Sequence, residues 1–434
     1  MSKVSLSTNE ISAAPSELPV LHPDALPGWI GALVRALVDC MGVHPAIALV
    51  QLLLRLAVQF NSPFVKMGYE QHRTVLNAAI VNDGPRTGYV TVKKIFDLLF
   101  EDFGDGVKFM SGPIGCGKDL LSPVLDERLL QDRDDEENFK PHKPIRRKQL
   151  LVHDEHFALT LDRVKKKDGA ISYTFKKLFD DYSAKLPINT QLNDCQVTNG
   201  HVNILSHISL AELTPLLPLF QGPADFADRF MWLLIGRQPL HALPTCIPEK
   251  DMRYFRGIVA ERIESAEKLG EVKLSRPARA LWEKEFPALT MDVSGAARSV
   301  LGLSEVHCIR LALTYALAAG HKKLSIQAED VRAALALMRF TRDSALNIFN
   351  GCPVDKRKVK ILDALLDAPN NAMTLTAISN EVFQHNLSSD EIGKALDSLE
   401  FAKQVQITRI YTGGAPRTIV MLTPPQSSEG QLAG

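Results

Sequence analysis

Five short apolar runs, separated by loops and by segments with helical spacing, constrain the fold of this chain more than any other feature. A short apolar run between turn residues is typical of a strand that is buried on both faces. Strands that alternate with helices form a three-layer α/β domain with the sheet in the middle. The sequence therefore predicts an α/β fold whose strands fall on residues 75–81, 107–110, 149–155, 202–205 and 231–235.

The third apolar run ends in two carboxylates, Asp154 and Glu155. At the end of a strand they would face the crevice in which open α/β sheets bind their ligands. In nucleotide hydrolases one carboxylate holds Mg²⁺ and a second one polarises the attacking water. On this interpretation Asp154 is the metal ligand and Glu155 activates water. The structural alternative is a strand followed by a helix cap, because Asp is a favoured capping residue.

Two glycine-rich loops compete for the role of a phosphate-binding loop. Residues 112–119 nearly match the pattern G-x-x-x-x-G-K-[ST], in which backbone N–H groups and a lysine hold phosphates. Asp119 stands where the pattern has Ser or Thr, and its carboxylate would repel a β-phosphate. The structural alternative is a chance match in a glycine-rich turn. The candidate ligands in this loop are Gly112, Gly115, Gly117 and Lys118.

The rival loop covers residues 84–91 and directly follows the first predicted strand. It lacks a lysine, although Arg86 offers a positive charge. The structural alternative is an ordinary tight turn, and the sequence leaves the choice between the two loops open. The candidate ligands in this loop are Gly84, Arg86, Thr87, Gly88 and Thr91.

Four further side chains are candidates because of their positions. Arg229 precedes the last strand, where an arginine of a ring ATPase would reach a neighbour's γ-phosphate; the alternative is an ion pair with a nearby aspartate such as Asp228. Ser206 and His207 end the fourth strand and would sense phosphate or position water, although a lone histidine there is more often structural. Arg310 would contact nucleotide from a helical lid, whereas most helix arginines are simply solvated.

Composition limits the classes of protein that this chain can belong to. A length of 434 residues predicts about two to four domains. Lys+Arg and Asp+Glu number 50 each, so nucleic-acid binding would depend on local basic patches. Six cysteines without a C-x-x-C pair favour the cytoplasm and argue against a zinc site. We expect neither a signal peptide nor a membrane span.

Patterning along the chain predicts helices on both sides of the α/β core and a small C-terminal domain. The core is expected to be preceded by a helical N-terminal module and followed by an all-helical lid. The predicted boundaries are a flexible N-terminus at 1–22, the helical module at 23–72, the core at 73–245, the lid at 246–352, the C-terminal domain at 353–423 and a disordered tail at 424–434.

Three helix-period segments and a glycine-turned hairpin predict that the C-terminal domain is a winged helix-turn-helix. Such a domain contacts DNA phosphates through basic residues on its helices and wing. Winged helices also dock proteins, and this alternative stays open. The candidate DNA contacts are Lys356, Arg357, Lys358, Lys394, Arg409 and Arg417.

With these residues in view, the chain resembles a phage- and plasmid-borne domain family of unknown function. That family is found beside or fused to primases and is treated as AAA+ helicase-like. The sequences Asp154-Glu155 and Asp228-Arg229-Phe230, together with the predicted winged helix, also resemble the minichromosome-maintenance branch of AAA+ helicases. The segments that carry the family resemblance, in order, are residues 26–30, the Gly84 loop, 110–121, 149–157, 204–213, 226–232 and 309–316.

The resemblance implies an AAA+-like P-loop NTPase core with ATP and Mg²⁺ as cofactors and Asp154 as the Mg²⁺ ligand. It places the phosphate loop on residues 84–91 and gives Arg229 the arginine-finger position. This chain departs from the family pattern in two places. The first loop lacks the usual lysine, and the second glycine-rich segment has Lys118 where the family normally carries Glu.

The function predicted from the sequence is that of a mobile-element DNA replication protein. It would be an ATPase, with helicase-like action on DNA as a ring oligomer such as a hexamer. The alternative is a degenerate, non-hydrolysing initiator or adaptor that binds DNA and recruits a primase or replicative helicase. The two departures leave open whether the chain is an enzyme. Both functions place it in the cytoplasm without a membrane partner.

Overall fold

The structure is a computed structural model, and its residues form two compact units, 1–350 and 351–434. Each unit is described by itself. The structure describes residues 18–83, 88–126, 148–165, 170–185, 196–220, 226–236, 241, 243–291, 293, 295–321, 324–350, 360–361, 364–365, 368–384, 386–401, 405–410 and 417–422.

A five-stranded, fully parallel sheet forms the centre of the first unit. The five strands predicted from the apolar runs are the strands of this sheet, so the α/β class is confirmed. Two short antiparallel pairs accompany it, β1–β2 and β6–β7. The strands are β1 Phe64–Met67, β2 Glu70–Arg73, β3 Asn77–Asn82, β4 Val107–Ser111, β5 Gln149–Asp154, β6 Ala184–Lys185, β7 Gln196–Val197, β8 His201–Ser209 and β9 Met231–Ile235.

The order of strands across the sheet is β4-β5-β8-β3-β9. Numbered 1 to 5 along the chain, the five strands therefore lie in the order 5-1-4-3-2. This order differs from the 3-2-1-4-5-6 order of dinucleotide-binding folds and from the 2-1-3-4-5 order of flavodoxin-like folds. The first and third strands along the chain, β3 and β5, are separated only by β8.

Helices cover both faces of the sheet and extend beyond it. In the first unit they are α1 Gly28–Met41, α2 Pro45–Gln59, α3 Tyr89–Leu99, α4 Gly117–Leu121, α5 Phe157–Lys165, α6 Ala170–Asp180, α7 Leu210–Leu213, α8 Glu249–Glu267, α9 Arg276–Leu289, α10 Arg298–Leu301, α11 Ser304–Ala319 and α12 Ala328–Ala345.

Helix α2 is buried along its whole length after Pro45, against one face of the sheet. Buried polar side chains satisfy the carbonyl groups at its C-terminus, which a helix cannot satisfy internally. Thr74 Oγ1 donates to the carbonyl of Ala57 at 2.8 Å, and Gln149 Nε2 donates to the carbonyl of Val58 at 2.7 Å. These bonds fix the end of α2 at the amino edge of the sheet.

The N-terminal helices and the helices after residue 246 share one hydrophobic core with the sheet. Trp29 Nε1 donates to the carbonyl of Ala318 at 2.8 Å, and the Tyr315 hydroxyl donates to the carbonyl of Ala25, also at 2.8 Å. The N-terminal helices therefore pack against helix α11 near the end of the first unit. The predicted boundaries at residues 72 and 245 fall inside this packed unit.

On the opposite face an aromatic cluster surrounds Trp232, which is fully buried. Its ring meets Phe220 and Phe349 edge to face, with centroids 5.3 and 5.0 Å away. The indole N–H donates to the carbonyl of Ala227 at 2.9 Å, so the one polar atom of the side chain is satisfied. Among the described residues, one helical stretch, residues 298–319, is long and apolar enough to cross a membrane. Of its apolar 18-residue segment, 72% is buried inside the protein.

The second unit contains a three-stranded antiparallel sheet with the order β10-β12-β11 and helices packed on one of its faces. Ser388 caps the last helix, since its Oγ accepts a hydrogen bond from the N–H of Glu391 at 3.3 Å. The elements are β10 Ala372–Thr374, α13 Leu375–Ala377 with a π-helical turn at Ile378–Val382, α14 Ser389–Phe401, β11 Val405–Ile410 and β12 Arg417–Leu422.

Candidate functional site

The carboxyl ends of all five parallel strands meet at one edge of the sheet, called here the carboxyl edge. The pairing register places Asp154 of β5 beside Ser206 of β8, and Ser206 beside Ala79 of β3. The loop that follows β3 and the carboxylate that ends β5 therefore flank the same strand. This is the kind of crevice in which open α/β sheets bind ligands.

Asp154 is fully buried, and both of its carboxylate oxygens accept hydrogen bonds from the start of α5. Oδ1 accepts from the N–H of His156 at 3.0 Å, and Oδ2 accepts from the hydroxyl of Thr160. The same hydroxyl oxygen accepts a bond from the N–H of Ile114 at 2.9 Å. Burial raises the pKa of Asp154 against these bonds. Asp154 thus caps α5 and ties it to the loop after β4.

Glu155 is half-buried, and its charge acts on both Tyr89 and His207. The ring of Tyr89 stacks on the imidazole of His207, with centroids 4.8 Å apart. Burial, with a contribution from the Glu155 charge, raises the pKa of the Tyr89 hydroxyl. Burial lowers the pKa of His207, while the charges of Glu212 and Glu155 oppose that shift. A neutral imidazole therefore lies within the electrostatic influence of a carboxylate that solvent can reach.

Ser206 and His207 point to opposite faces of β8 because side chains alternate along a strand. Within the described part of the chain, Ser206 Oγ and His207 Nε2 are buried and have no hydrogen-bond partner. A buried polar atom left unpaired costs free energy, and such atoms concentrate where a ligand or an ordered water completes the site. Each side chain therefore offers a polar atom to a ligand or a water at this edge, one on each face of the sheet.

The amide groups of the loop at residues 112–119 are occupied by the loop's own carboxylate. Asp119 Oδ2 accepts hydrogen bonds from the N–H groups of Gly115 at 2.7 Å and Cys116 at 3.0 Å. A phosphate would need these same donors. Lys118 is exposed, and the N–H of Gly112 donates to the carbonyl of His153. Gly117 lies against Thr174, where an added Cβ would come within 2.4 Å of its Oγ1. The Asp119 carboxylate thus occupies the N–H donors that a phosphate would use at this loop.

The rival loop lies between β3 and α3, and three of its candidate ligands, Gly84, Arg86 and Thr87, fall outside the described residues. Gly88 precedes α3 with a φ of +80°, and an added Cβ would meet Val43 Cγ1 at 2.6 Å. Only glycine fits both conditions. Thr91 is exposed in the first turn of α3. The N-terminus of an eleven-residue helix therefore opens at the carboxyl edge, beside β8.

Arg229 is held inside its own chain at the start of β9. Its guanidinium donates to Asp180 Oδ2 at 2.6 Å and to Asp228 Oδ1 at 2.6 Å. Only 9% of the residue is exposed. The ion pair with Asp228 that was the structural alternative is present, and Asp180 reinforces it. A role in a neighbouring subunit's site would require both pairs to open.

Arg310 lies at the opposite, amino edge of the sheet. Its guanidinium donates to the carbonyl groups of Val75 at 3.1 Å and Phe179 at 2.9 Å, and it stacks 4.0 Å from the centre of the Phe179 ring. The side chain is buried, and Val75 precedes β3, whereas the nucleotide loop would follow β3. This geometry gives Arg310 a structural role in joining α11 to the sheet, in place of the predicted nucleotide contact.

A polar seam between α2 and the carboxyl edge was not predicted from the sequence. Gln51 Nε2 donates to the carbonyl of Tyr89 at 3.1 Å, Arg55 pairs with Asp97, and His153 is buried among them. Burial lowers the pKa of His153 to about 3. The signal was present in the sequence, because polar residues at four-residue intervals interrupt the otherwise apolar helix α2 at positions 51, 55 and 59.

The predicted DNA-binding residues of the second unit are only partly described. Lys356, Arg357 and Lys358 precede its described residues, and the side chains of Arg409 and Arg417 are likewise not described. Lys394 is exposed on α14 and pairs with Asp390 at 2.7 Å. Asp397 and Glu400 are also exposed on this helix, so its solvent face carries more negative than positive charge.

One group of potential metal ligands occurs among the described residues, formed by His321, Glu329 and Asp330. Asp330 accepts hydrogen bonds from the N–H of Gln327 at 2.7 Å and from His321 Nε2 at 2.9 Å. These bonds cap the start of α12, which explains the grouping without a metal ion. Comparisons with models of known protein families and with curated protein sequences gave no match.

Proposed function

We propose that this chain is a nucleotide-binding DNA replication protein of the AAA+ type, with Mg-ATP held at the carboxyl edge. The observation that carries the proposal is the position of the Asp154–Glu155 pair one strand away from the loop that follows β3. The strand between them, β8, contributes Ser206 and His207. A phosphate loop, a metal ligand and a base would thus converge on one crevice.

The strand order supports this proposal. The acidic pair stands at the end of the third strand along the chain, and the order 5-1-4-3-2 brings it within one strand of the loop that follows the first. A fold does not by itself define a function, so the proposal depends on the side chains at the edge.

The donor groups at the edge fit a magnesium nucleotide. A carboxylate has about four lone-pair sites, so Asp154 can ligate Mg²⁺ beyond the two bonds it accepts. The bound ion would neutralise phosphate charge. The N–H groups at the start of α3 favour anions. Glu155 would take a proton from the attacking water, and neutral His207 would hold that water through Nε2.

We further propose that the second unit contacts DNA and that the first unit forms the ring. A helical layer packed on a three-stranded sheet supports the winged-helix interpretation. Arg409 and Arg417 stand near the adjoining ends of the paired strands β11 and β12, where a wing would meet phosphates. The net negative charge on the solvent face of α14 disfavours contact with DNA phosphates. The wing is therefore the better candidate for the DNA contact.

A second candidate function is a non-hydrolysing initiator or adaptor that uses the same fold as a scaffold for a primase or replicative helicase. Three observations favour it. Asp119 occupies the amide groups of one loop, and Tyr89 follows Gly88 where a phosphate-binding lysine would be expected. Arg229 is also committed to Asp180 and Asp228. In this case nucleotide binding would persist without turnover.

ATP turnover with and without single-stranded DNA separates these candidates. The variants are Glu155→Gln, which removes the base, and Glu261→Gln, a matched control on the exposed face of α8. Turnover that Glu155→Gln reduces by about 100-fold or more, and that Glu261→Gln preserves, supports the ATPase. Nucleotide binding without turnover in any variant supports the adaptor. Absence of both binding and turnover contradicts both.

A further inference from the structure

The hairpin β1–β2 carries a fully exposed tyrosine at its tip. Gly68 and Tyr69 form a two-residue loop between the paired residues Met67 and Glu70. Gly68 has a φ of +64°, a conformation that tight hairpin loops require and glycine supplies. Tyr69 has a relative exposure of 107%, so its ring contacts almost nothing in its own chain. An aromatic ring presented in this way is typical of a contact between proteins.

The base of the hairpin is firmly attached to the rest of the first unit. The N–H of Arg73 donates to the Tyr182 hydroxyl at 2.9 Å, and that hydroxyl donates to the carbonyl of Gln71 at 2.9 Å. The N–H of Val272 donates to the carbonyl of Phe64 at 2.8 Å. Because its base is fixed, the hairpin presents Tyr69 in a defined position, and little ordering entropy would be lost on binding.

An apolar pocket with a cavity volume of about 80 Å³ opens between helices α9 to α12 of the same unit. Its lining includes Leu289, Met291, Val293 and Leu335. Met291 is 52% exposed, although it is a large apolar side chain. Exposed apolar surface around a concavity marks a binding site for a protruding apolar group.

The charges beside the two features are complementary. Glu70, next to Tyr69, has a side chain that is 78% exposed. Its carboxylate lies 3.7 Å from Nε2 of His72, whose pKa burial lowers to about 4, so that neighbour is neutral at pH 7. Among the described residues that line the pocket, Arg339 pairs with Glu285 at 3.3 Å, so the positive charge available to an acidic partner is that of Arg342. The Glu70 carboxylate and the Arg342 guanidinium are therefore the complementary charges of the two features.

We propose that Tyr69 of one copy of this chain inserts into the α9–α12 pocket of a second copy, with Glu70 facing Arg342. A projection on one surface and a pocket on another make a contact that joins unlike patches, and such contacts close into rings when the rotation allows it. The occupant is therefore a second copy of the chain. This inference names the contact behind the proposed ring and does not depend on nucleotide.

Sedimentation of the full chain over a range of concentrations tests the contact. Tyr69→Ala removes the projection, and Met291→Arg blocks the pocket at an exposed position that tolerates a large side chain. Each variant alone should raise the dissociation constant of self-association by about tenfold or more. Tyr254→Ala, which removes a tyrosine that is 63% exposed on α8, is the matched control and should have no effect.

Mixing the two variants gives the sharper result. The Tyr69→Ala chain keeps its pocket and the Met291→Arg chain keeps its tyrosine, so the mixture should form one-to-one heterodimers that neither variant forms alone. Glu70→Arg should weaken association, and Arg342→Glu in the same chain should restore it at least in part. A monomeric wild type, or variants that associate like wild type, would overturn the proposal. ATP binding is measured in parallel and should be unchanged in every variant.

Discussion

The ring of Tyr89, the first residue of α3, stacks on the imidazole of His207 near the end of β8, with 29° between the ring planes. This pair joins the helix that follows the candidate phosphate loop to the strand that lies beside Asp154. The carbonyl of Tyr89 is also held by Gln51 of α2. The start of α3 is therefore fixed from two sides before any ligand binds, which is the pre-organisation that a phosphate site needs.

Tyr89→Ala should lower the free energy of unfolding by about 3–5 kcal/mol, because it removes a buried ring from a packed stack. Tyr89→Phe should change it by less than about 1 kcal/mol, because the hydroxyl has no partner among the described residues. Urea unfolding measures both values. A large loss in Tyr89→Phe would mean that the hydroxyl bonds to something essential.

Arg86→Ala should weaken ATP binding by about tenfold, since we assign the phosphates to the loop after β3. Lys118→Ala should leave the affinity within about twofold, because Asp119 already occupies the amide groups of that loop. Titration with a fluorescent ATP analogue measures both affinities. The reverse pattern would move the phosphates to residues 112–119.

Arg310→Met should lower the free energy of unfolding by about 2–5 kcal/mol, because it leaves the carbonyl groups of Val75 and Phe179 without their donors. The ATP affinity of the folded variant should stay within about twofold of wild type, since Arg310 lies at the amino edge. Urea unfolding and ATP titration on the same preparation test both statements. A stable variant that has lost ATP binding would restore the lid interpretation of Arg310.

Stability should fall as the pH falls below about 6.5. Burial lowers the pKa of five histidines from the usual 6.5, to about 4 in His44, His72 and His201 and to about 3 in His153 and His307. The unfolded chain binds protons at these sites below about pH 6.5, while the folded chain does not, so acid favours unfolding. Each site contributes up to about 1.4 kcal/mol per pH unit.

Urea unfolding between about pH 7.5 and about pH 5 measures this dependence. His307→Asn should flatten the slope by the share of one histidine, because it removes one group that titrates only in the unfolded chain. The raised pKa of buried Asp154 has the opposite effect at lower pH. The folded chain binds that proton more readily than the unfolded chain, so this carboxyl stabilises the fold as the pH falls. A free energy of unfolding that stays constant over this range would show that the buried histidines are protonated in the folded chain.

Arg409→Ala combined with Arg417→Ala should weaken DNA binding. The plot of log binding constant against log salt concentration should become shallower by the amount expected for the loss of about two phosphate contacts. Lys394→Ala should leave both quantities almost unchanged, because the lysine is already paired with Asp390. Fluorescence anisotropy at several salt concentrations measures them. Equal losses in the two variants would place α14, not the hairpin, on the DNA.

Strands buried on both faces were predictable because such burial favours a continuous apolar run, as in Ala78–Val81 of β3, whereas β4 at the edge of the sheet is largely exposed beyond Val107. The hairpin β1–β2 was not predicted, since its strands are half exposed and lack such a run. An apolar helical stripe, as in α11, shows that a face is buried but not what covers it. For this reason the shared core of the N-terminal and late helices could not be anticipated.

The candidate site was predictable in its carboxylates but not in their partners. Asp154 and Glu155 stand at the end of a strand, and the strand order brings them to the loop after β3. The pairing of Arg229 with Asp180 joins residues 49 positions apart, and that of Arg310 with Val75 joins residues 235 positions apart. Such contacts depend on tertiary packing, which local sequence spacing does not encode.

The most direct test of the central claim is a calorimetric titration of ATP, with and without Mg²⁺, into wild type and Asp154→Asn. Asn keeps one acceptor oxygen for the N–H of His156, loses the acceptor for the Thr160 hydroxyl, and is a far weaker ligand for Mg²⁺. Wild type should bind ATP more tightly with Mg²⁺, and Asp154→Asn should lose that gain while its free energy of unfolding falls by about 1–3 kcal/mol. Asp251→Asn on exposed α8 should behave like wild type. No ATP binding by wild type, or an undiminished Mg²⁺ effect in Asp154→Asn, would contradict a nucleotide site at the carboxyl edge.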